Sequence, residues 1–323
     1  MAEIRYHPMI RDWVMIASHR QERPQMPKDW CPFCPGSGKV PDHFDVLAYD
    51  NDFPALSPHP PQPDDVETWL YRAAPAYGKC EVILYSPLHD TTLPQLSPAH
   101  VRRLVDLWIQ RYEALAADPA IRYVFVFENR GEVVGVTMPH PHGQVYAYPF
   151  VPKKLEQEAL ALASHRHETG RCLVCDMNRS EVEDGRRIVY QNGSFLVYLP
   201  FFSEYPFGIY IAAKRHAAAL PDLSDPERDD LADAVRTAAG TLDALYGKPF
   251  PYMMCMHNPP IHGETDPDWH FHIEFFPPMR SDVKQKFNAS SETGAWAHCN
   301  PTCPEEKAQE LREACARFRG TGG

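Results

Sequence analysis

The sequence predicts an α+β protein made of two copies of one unit, each a mostly antiparallel sheet with flanking helices. Three observations lead there. Five short motifs occur twice, in the same order, along the 323 residues. Each copy holds several short alternating segments and one long amphipathic helical segment. Each copy also carries a C-x-x-C pair, a histidine further on, and an H-x-H pair at its end.

The motif pairs are these. Cys31-Pro-Phe-Cys34 is answered by Cys172-Leu-Val-Cys175, and Tyr49-Asp-Asn51 by Tyr190-Gln-Asn192. His89-Asp-Thr-Thr-Leu-Pro-Gln-Leu-Ser97 returns as His216-Ala-Ala-Ala-Leu-Pro-Asp-Leu-Ser224. The run Tyr123 to Asn129 returns as Tyr252 to Asn258, and His140-Pro-His-Gly-Gln144 as His270-Phe-His-Ile-Glu274. Coincidental αβ rhythm could match helices, but not H-x3-L-P-x-L-S twice. Units of roughly 130–140 residues are expected to merge into one sheet or dock closely.

In chain order, residues 1–30 hold short apolar stretches and a basic loop, Ser18 to Pro24. Cys31 to Gly38 reads as a tight turn, and Val46 to Pro54 as a strand ending in polar punctuation. Residues 58–66 form an exposed loop, and Gly78 to Tyr85 alternates like a half-buried strand. Ser97 followed by Pro98 is an N-cap with proline at the first helical position. From there Val101, Leu104, Val105, Trp108, Tyr112 and Leu115 trace a helix to about Ala117. Tyr123 to Asn129 is a strand. The second copy places its long helix from about Asp225 to Tyr246, and a tail helix runs from Pro304 to about Phe318.

The formal charge of −11 argues against a general nucleic-acid or anionic-membrane binder. The first residues lack the basic and apolar regions of a signal peptide, and no apolar run reaches membrane length. A cytoplasmic setting is expected. Nine cysteines, two pairs of them as C-x-x-C, and sixteen histidines favour metal binding over a disulfide framework. Cys31, Cys34, His89 and His140 make a closed Cys2His2 set suited to structural zinc, and Cys172, Cys175, His216 and His270 repeat it. Redox use of the pairs is disfavoured because neither is read at a helix start after a strand. Cys299 and Cys303 receive no role.

Pro141 forces His140 out of the α region and fixes its own φ. In extended chain, residues two apart share a face, so His140, His142 and Gln144 project in one row. With His140 bound to metal, His142 is the unmatched imidazole, a capable nucleophile toward phosphorus near its ordinary pKa of about 6.5. The Gln144 amide stands where it can donate to a phosphoryl oxygen. The second copy offers His272 and Glu274 instead, and a carboxylate repels a phosphodiester, so that copy is expected to be catalytically silent. Residues 1–165 are thus expected to form the catalytic unit, and residues 166–323 a second unit with a tail.

Cys-Pro-Phe-Cys-Pro-Gly, Asn-Asp-Phe-Pro-Ala-Leu, Phe-Glu-Asn-Arg-Gly and His-Pro-His-Gly-Gln together resemble the galactose-1-phosphate uridylyltransferase family of the histidine-triad superfamily. The resemblance implies a duplicated histidine-triad-like unit with a half-barrel sheet. It implies ping-pong exchange of UMP between UDP-glucose and galactose 1-phosphate through a uridylyl-histidine, in galactose metabolism. His142 matches the nucleophile and Gln144 the glutamine beside it. Arg20, Arg23, Asn51, Asp52, Phe53, Asn129, Gly135 and Thr137 match positions around uridine and its phosphates. Lys286 and Phe287 match a segment that approaches the sugar phosphate across a homodimer interface. The implied partners are UDP-glucose or UDP-galactose and hexose 1-phosphates. One structural zinc is implied, with zinc or iron at a second site. For that site some relatives use a glutamate and three histidines, matching Glu158, His257, His270 and His272; others use a C-x-x-C pair. The cysteine set is favoured because it copies the first ligand for ligand. Rival readings are an ADP-glucose phosphorylase, a hydrolase of the same superfamily, and a zinc-stabilised binding module without catalysis.

Overall fold

One nine-stranded antiparallel sheet runs through both halves of the chain. The computed structural model describes residues 2–22, 30–262 and 268–320. The strands of the large sheet are β3 (Leu47–Asp50), β5 (Lys79–Leu84), β6 (Tyr123–Arg130), β7 (His142–Tyr148), β8 (Ile188–Gln191), β9 (Phe195–Tyr198), β10 (Ile209–Ala213), β11 (Tyr252–His257) and β12 (His272–Phe276). Their order is β3-β5-β7-β6-β11-β12-β10-β9-β8, so the expected merger of the units occurs at a β6–β11 seam. There Tyr252 lies opposite Arg130 and Met254 opposite Glu128. A separate three-stranded sheet pairs β1 (Ala2–His7) with β2 (Asp12–Ala17) on one side and β4 (Ala73–Pro75) on the other.

The long helices form where the periodicity places them. Helix α1 spans Pro98–Ala116, with the Ser97 side chain accepting from the His100 N–H, and α4 spans Asp225–Tyr246 with Ser224 and Glu227 as its capping box. Both lay their apolar stripes on one face of the sheet, over Val124, Val126, Val145, Met254 and Ile273. The tail helix α6 (Pro304–Gly320) packs on α4 at Gly240, where a Cβ would sit 2.3 Å from the Phe318 ring. Arg187 holds that tail to the body: buried, it reaches Glu181 at 2.7 Å and Glu305 at 2.7 Å.

Three helices were not legible. Helix α2 (Lys153–Thr169) buries only Leu155 and Leu162, so it lacks a full apolar stripe, and its N-cap is Pro152, which offers no side-chain acceptor. The expected junction at 165/166 falls inside it. Helix α3 (Leu173–Asp184) starts on Cys172, so this C-x-x-C pair does sit at a helix start, though after α2 and not after a strand. Helix α5 (Ser290–Ala295) is a short turn in the tail. One motif match also fails in space. Tyr49 lies on β3, which pairs directly with β5, whereas Tyr190 lies on β8, one strand further out than the corresponding position on β9.

Candidate functional site

Alternation along β7 puts Val145 and Ala147 into the core beneath α1 and leaves His142, Gln144 and Tyr146 on the opposite face. His140 immediately precedes the strand. Its Nδ1 stands 3.8 Å from Cys31 Sγ and 3.6 Å from Cys34 Sγ, and His89 Nδ1 stands 3.4 Å from Cys34 Sγ. Tetrahedral zinc with ordinary Zn–S and Zn–N bonds separates sulfur from nitrogen by about 3.6 Å, so the donor set fits that ion. The repeat gives the same answer: His270 Nδ1 lies 3.5 Å from Cys172 Sγ and 3.4 Å from Cys175 Sγ, and His216 closes the group.

Each central histidine is aimed by its other nitrogen. His140 Nε2–H donates to the Ser86 carbonyl at 2.8 Å, and His270 Nε2–H to the Ala213 carbonyl at 2.9 Å. The lone pair of Nδ1 therefore faces the sulfurs. Burial holds both imidazoles down to about 4, so they stay neutral and able to ligate. Burial, with the neighbouring thiol, pushes Cys34 up to about 11 and Cys175 up to about 12.

A third group gathers Glu158, His257, His272 and Glu274. The two sets offered for a second metal are therefore not alternatives. His270 is turned to the cysteines, and Glu274 takes the place expected of it beside His257 and His272. This group carries an ammonium of its own: Lys154 Nζ lies 2.6 Å from Glu274 and 3.9 Å from Glu158. His257 and the Lys154 charge hold the Glu274 carboxyl well below its ordinary range against the opposing effect of burial. Lys154 offsets one of the two carboxylate charges, and the four donor groups stand close enough together to hold an ion.

His142 Nδ1 lies 2.7 Å from the His140 carbonyl. A carbonyl only accepts, so Nδ1 carries the proton and Nε2 carries the lone pair. His142 also lines two cavities. One, of about 390 Å³, is walled by Trp30, Phe33, Lys39, Tyr49, Asn51, Asp52, Phe53 and Met138, among others. The second, of about 210 Å³, is walled by Thr91, Glu128, Asn129, Arg130, Met138 and His140, among others. Gln144 is buried, and its Oε1 has no hydrogen-bond partner among the described residues. In the repeat, His272 has the same Nδ1 bond to the His270 carbonyl at 2.9 Å, but its Nε2 faces Glu274 at 3.7 Å and its ring stacks on Tyr210.

The remaining expected residues divide. Asn51, Asp52 and Phe53 line the first cavity, where the Asn51 side chain accepts from the Phe53 N–H and Tyr49 donates to Asp52 at 2.8 Å. Asn129 lines the second. Arg20 reaches the Tyr146 hydroxyl at 3.2 Å, on the face that holds His142. Arg23 lies outside the described residues. Gly135 adopts a φ of +80° that ends a short turn, and the Thr137 hydroxyl is buried without a partner among the described residues. Lys286 and Phe287 line neither cavity: Lys286 Nζ faces Glu292 at 3.5 Å, and Phe287 is exposed. Trp30, Phe33, Lys39 and Met138 were missed. Only the aromatic spacing around the first C-x-x-C hinted at them.

The duplicated antiparallel sheet, with a buried histidine pair at the start of one central strand in each half, defines an α+β protein of two related units. More narrowly, the chain belongs to the galactose-1-phosphate uridyl transferase family, whose N-terminal domain matches residues 1–152 and whose C-terminal domain matches residues 156–313. The galactose-1-phosphate uridylyltransferase of Thermotoga maritima is 38% identical over 315 residues, covering 97% of this chain and 98% of that one. A solved uridylyltransferase superposes with a TM-score of 0.89 at 30% identity, over 98% of this chain and 99% of that one. An ADP-glucose phosphorylase from Arabidopsis thaliana, solved with bound ADP-glucose, superposes with a TM-score of 0.74 at 26% identity, over 97% and 99%.

Proposed function

We propose that the chain exchanges UMP between UDP-glucose and galactose 1-phosphate through a uridylyl group carried on His142. One observation carries the mechanism: His142 stands where two cavities meet, with its tautomer set by the His140 carbonyl. The Nε2 lone pair attacks the α-phosphorus of the UDP-sugar. An N–P bond forms, the P–O bond to the leaving group breaks, and hexose 1-phosphate departs with that electron pair. A second hexose 1-phosphate then attacks the same phosphorus through a phosphate oxygen, and the N–P bond returns its electrons to Nε2. Throughout, Nδ1–H stays on the His140 carbonyl and stabilises the positive charge that the ring carries while uridylylated.

Gln144 lies on the same face as His142, and its amide N–H is the group that can donate to the phosphoryl oxygens as charge builds there. The cavity with Asn51, Asp52 and Phe53 suits the nucleoside: Asp52 can accept from ribose hydroxyls, and Phe33, Tyr49 and Trp30 offer flat surfaces to a base. Arg20 and Arg23 would bring positive charge to the phosphates. Lys286 and Phe287 reach neither cavity within one chain, in keeping with a homodimer in which a second copy supplies them.

Zinc suits both Cys2His2 groups. Cys31, Cys34, His89 and His140 would hold it, and there it would supply structural cross-linking and fix the residue whose carbonyl orients His142. The test is to mix the protein with UDP-glucose alone and weigh it. A uridylyl adduct of about 306 Da is expected, absent with ADP-glucose and absent from His142→Asn. An unmodified wild-type mass would sink the mechanism. An adduct from ADP-glucose alone would move the assignment to adenine nucleotides.

A further inference from the structure

A buried carboxylate lies on the helix-covered face of the sheet and also walls the second cavity beside His142, and the transfer just described gives it no role. Glu128 of β6 accepts the Tyr85 hydroxyl at 3.2 Å and the Tyr252 hydroxyl at 3.1 Å. All three side chains are buried. Tyr85 follows β5, Glu128 lies on β6 and Tyr252 on β11, so the triad spans the seam between the two halves. A carboxyl in an otherwise apolar core costs stability, and two phenol donors only partly offset that.

What the triad touches gives it a purpose. The Tyr85 hydroxyl presses on Gly143, between His142 and Gln144, so closely that a Cβ there would lie 2.4 Å from its oxygen. The Tyr85 N–H donates to the Pro141 carbonyl at 3.1 Å, between the two histidines. Tyr85 thus grips the His140 to Gln144 backbone at two points, and its hydroxyl is itself held by Glu128. Its ring meets Trp108 of α1 edge-on at 6.0 Å, and its carbonyl lies 2.6 Å from His100 Nε2. The tyrosine is fixed from every side, and the strand is fixed against it.

We propose that Glu128 is a positioning residue for the transfer: by holding the Tyr85 hydroxyl against Gly143, it sets the backbone that aims His142 and Gln144. The bonds Glu128 makes go to the two phenols. Because a shift of about 1 Å at a reacting group typically costs on the order of 100-fold in rate, small slackening here should be visible.

The experiment measures single-turnover uridylylation by UDP-glucose in wild type, Glu128→Gln, Tyr85→Phe and the double variant, with melting temperature and metal content alongside. Each single variant is expected to lose ~10-fold or more in the uridylylation rate with the KM for UDP-glucose within about twofold of wild type. The double variant should be no slower than the slower single, since both changes release the same contact. Wild-type rates in both singles, losses that multiply in the double, or a KM rise matching the rate loss would each overturn the assignment. The inference rests on His142 as the reacting group, and the two fail differently: a wild-type protein that takes up no uridylyl group removes the mechanism. Variants that take it up as fast as wild type remove only the role of Glu128. If Glu128→Gln does not fold, Tyr85→Phe keeps the ring and decides the matter by the same rate and KM criteria.

Discussion

Gly143→Ala tests how tightly the reacting strand is seated. A Cβ at this position would meet Tyr85 Oη at 2.4 Å, the Phe127 carbonyl at 3.0 Å and Tyr85 Cζ at 3.1 Å. Ordinary carbon–oxygen contact needs about 3.4 Å, so the tyrosine oxygen or the strand must give by about 1 Å. Neither moves freely: Tyr85 is 1% exposed and held at its hydroxyl and backbone, and β7 is paired on both sides. Overpacking of this kind costs about 1–3 kcal/mol in stability. The same ångström at His142 costs on the order of 100-fold in rate. Expected, then, is a folded, metal-loaded Gly143→Ala protein whose uridylylation is slower by roughly that factor. Adding Tyr85→Phe removes the nearest atom, so the double variant should recover part of the lost rate even though Tyr85→Phe alone is harmful. Stopped-flow quench with mass detection reads both. A Gly143→Ala enzyme as fast as wild type, or a double variant slower than it, would refute the reasoning.

The other predictions are simpler. Chelation should lower the melting temperature steeply, because a structural zinc contributes on the order of 10 kcal/mol to folding, and elemental analysis should find at least one ion for each of the two Cys2His2 groups. Arg187→Ala should cost about 3–5 kcal/mol, since it strands the buried Glu181 carboxylate; urea titration measures it, with activity per folded molecule unchanged. Glu128 also gives a pH signature. Burial raises its carboxyl from 4.5 to about 7 despite Arg130, Tyr252 and Tyr85, so the folded state holds a proton that the unfolded state has released. Between those two values its contribution to stability falls as pH rises, and Glu128→Gln should flatten that part of the urea-midpoint profile.

Much of the site was legible because its constraints are local or repeated. Prolines 139 and 141 fix the histidine pair within a few residues, and the second copy supplies an independent reading of every metal ligand. The capped helices α1 and α4 were legible for the same reason: Ser-Pro or Ser-Asp-Pro followed by an apolar stripe is a local signal. What stayed hidden depends on pairing across long separations. Tyr85, Glu128 and Tyr252 are each unremarkable in sequence, and only the β6–β11 register joins them. Glu274 reads as a lost glutamine until β12 brings it beside His257 and α2 brings Lys154. The misplaced Tyr190 shows the converse: a short motif can recur while the strand bearing it moves one place outward.

The β6–β11 seam has an evolutionary consequence. A protein of one unit alone would present the β6 edge to solvent, and the simplest cover for it is the same edge of a second molecule related by a two-fold axis. In such a pair both copies of every residue change together. Joining the two units in one chain breaks that obligation: Gln144 and Glu274, at equivalent places on either side of the pseudo-axis, have been free to part company. One half keeps a buried amide on the same face as His142, while the other spends the same position on an internal ion group that binds α2 to the sheet.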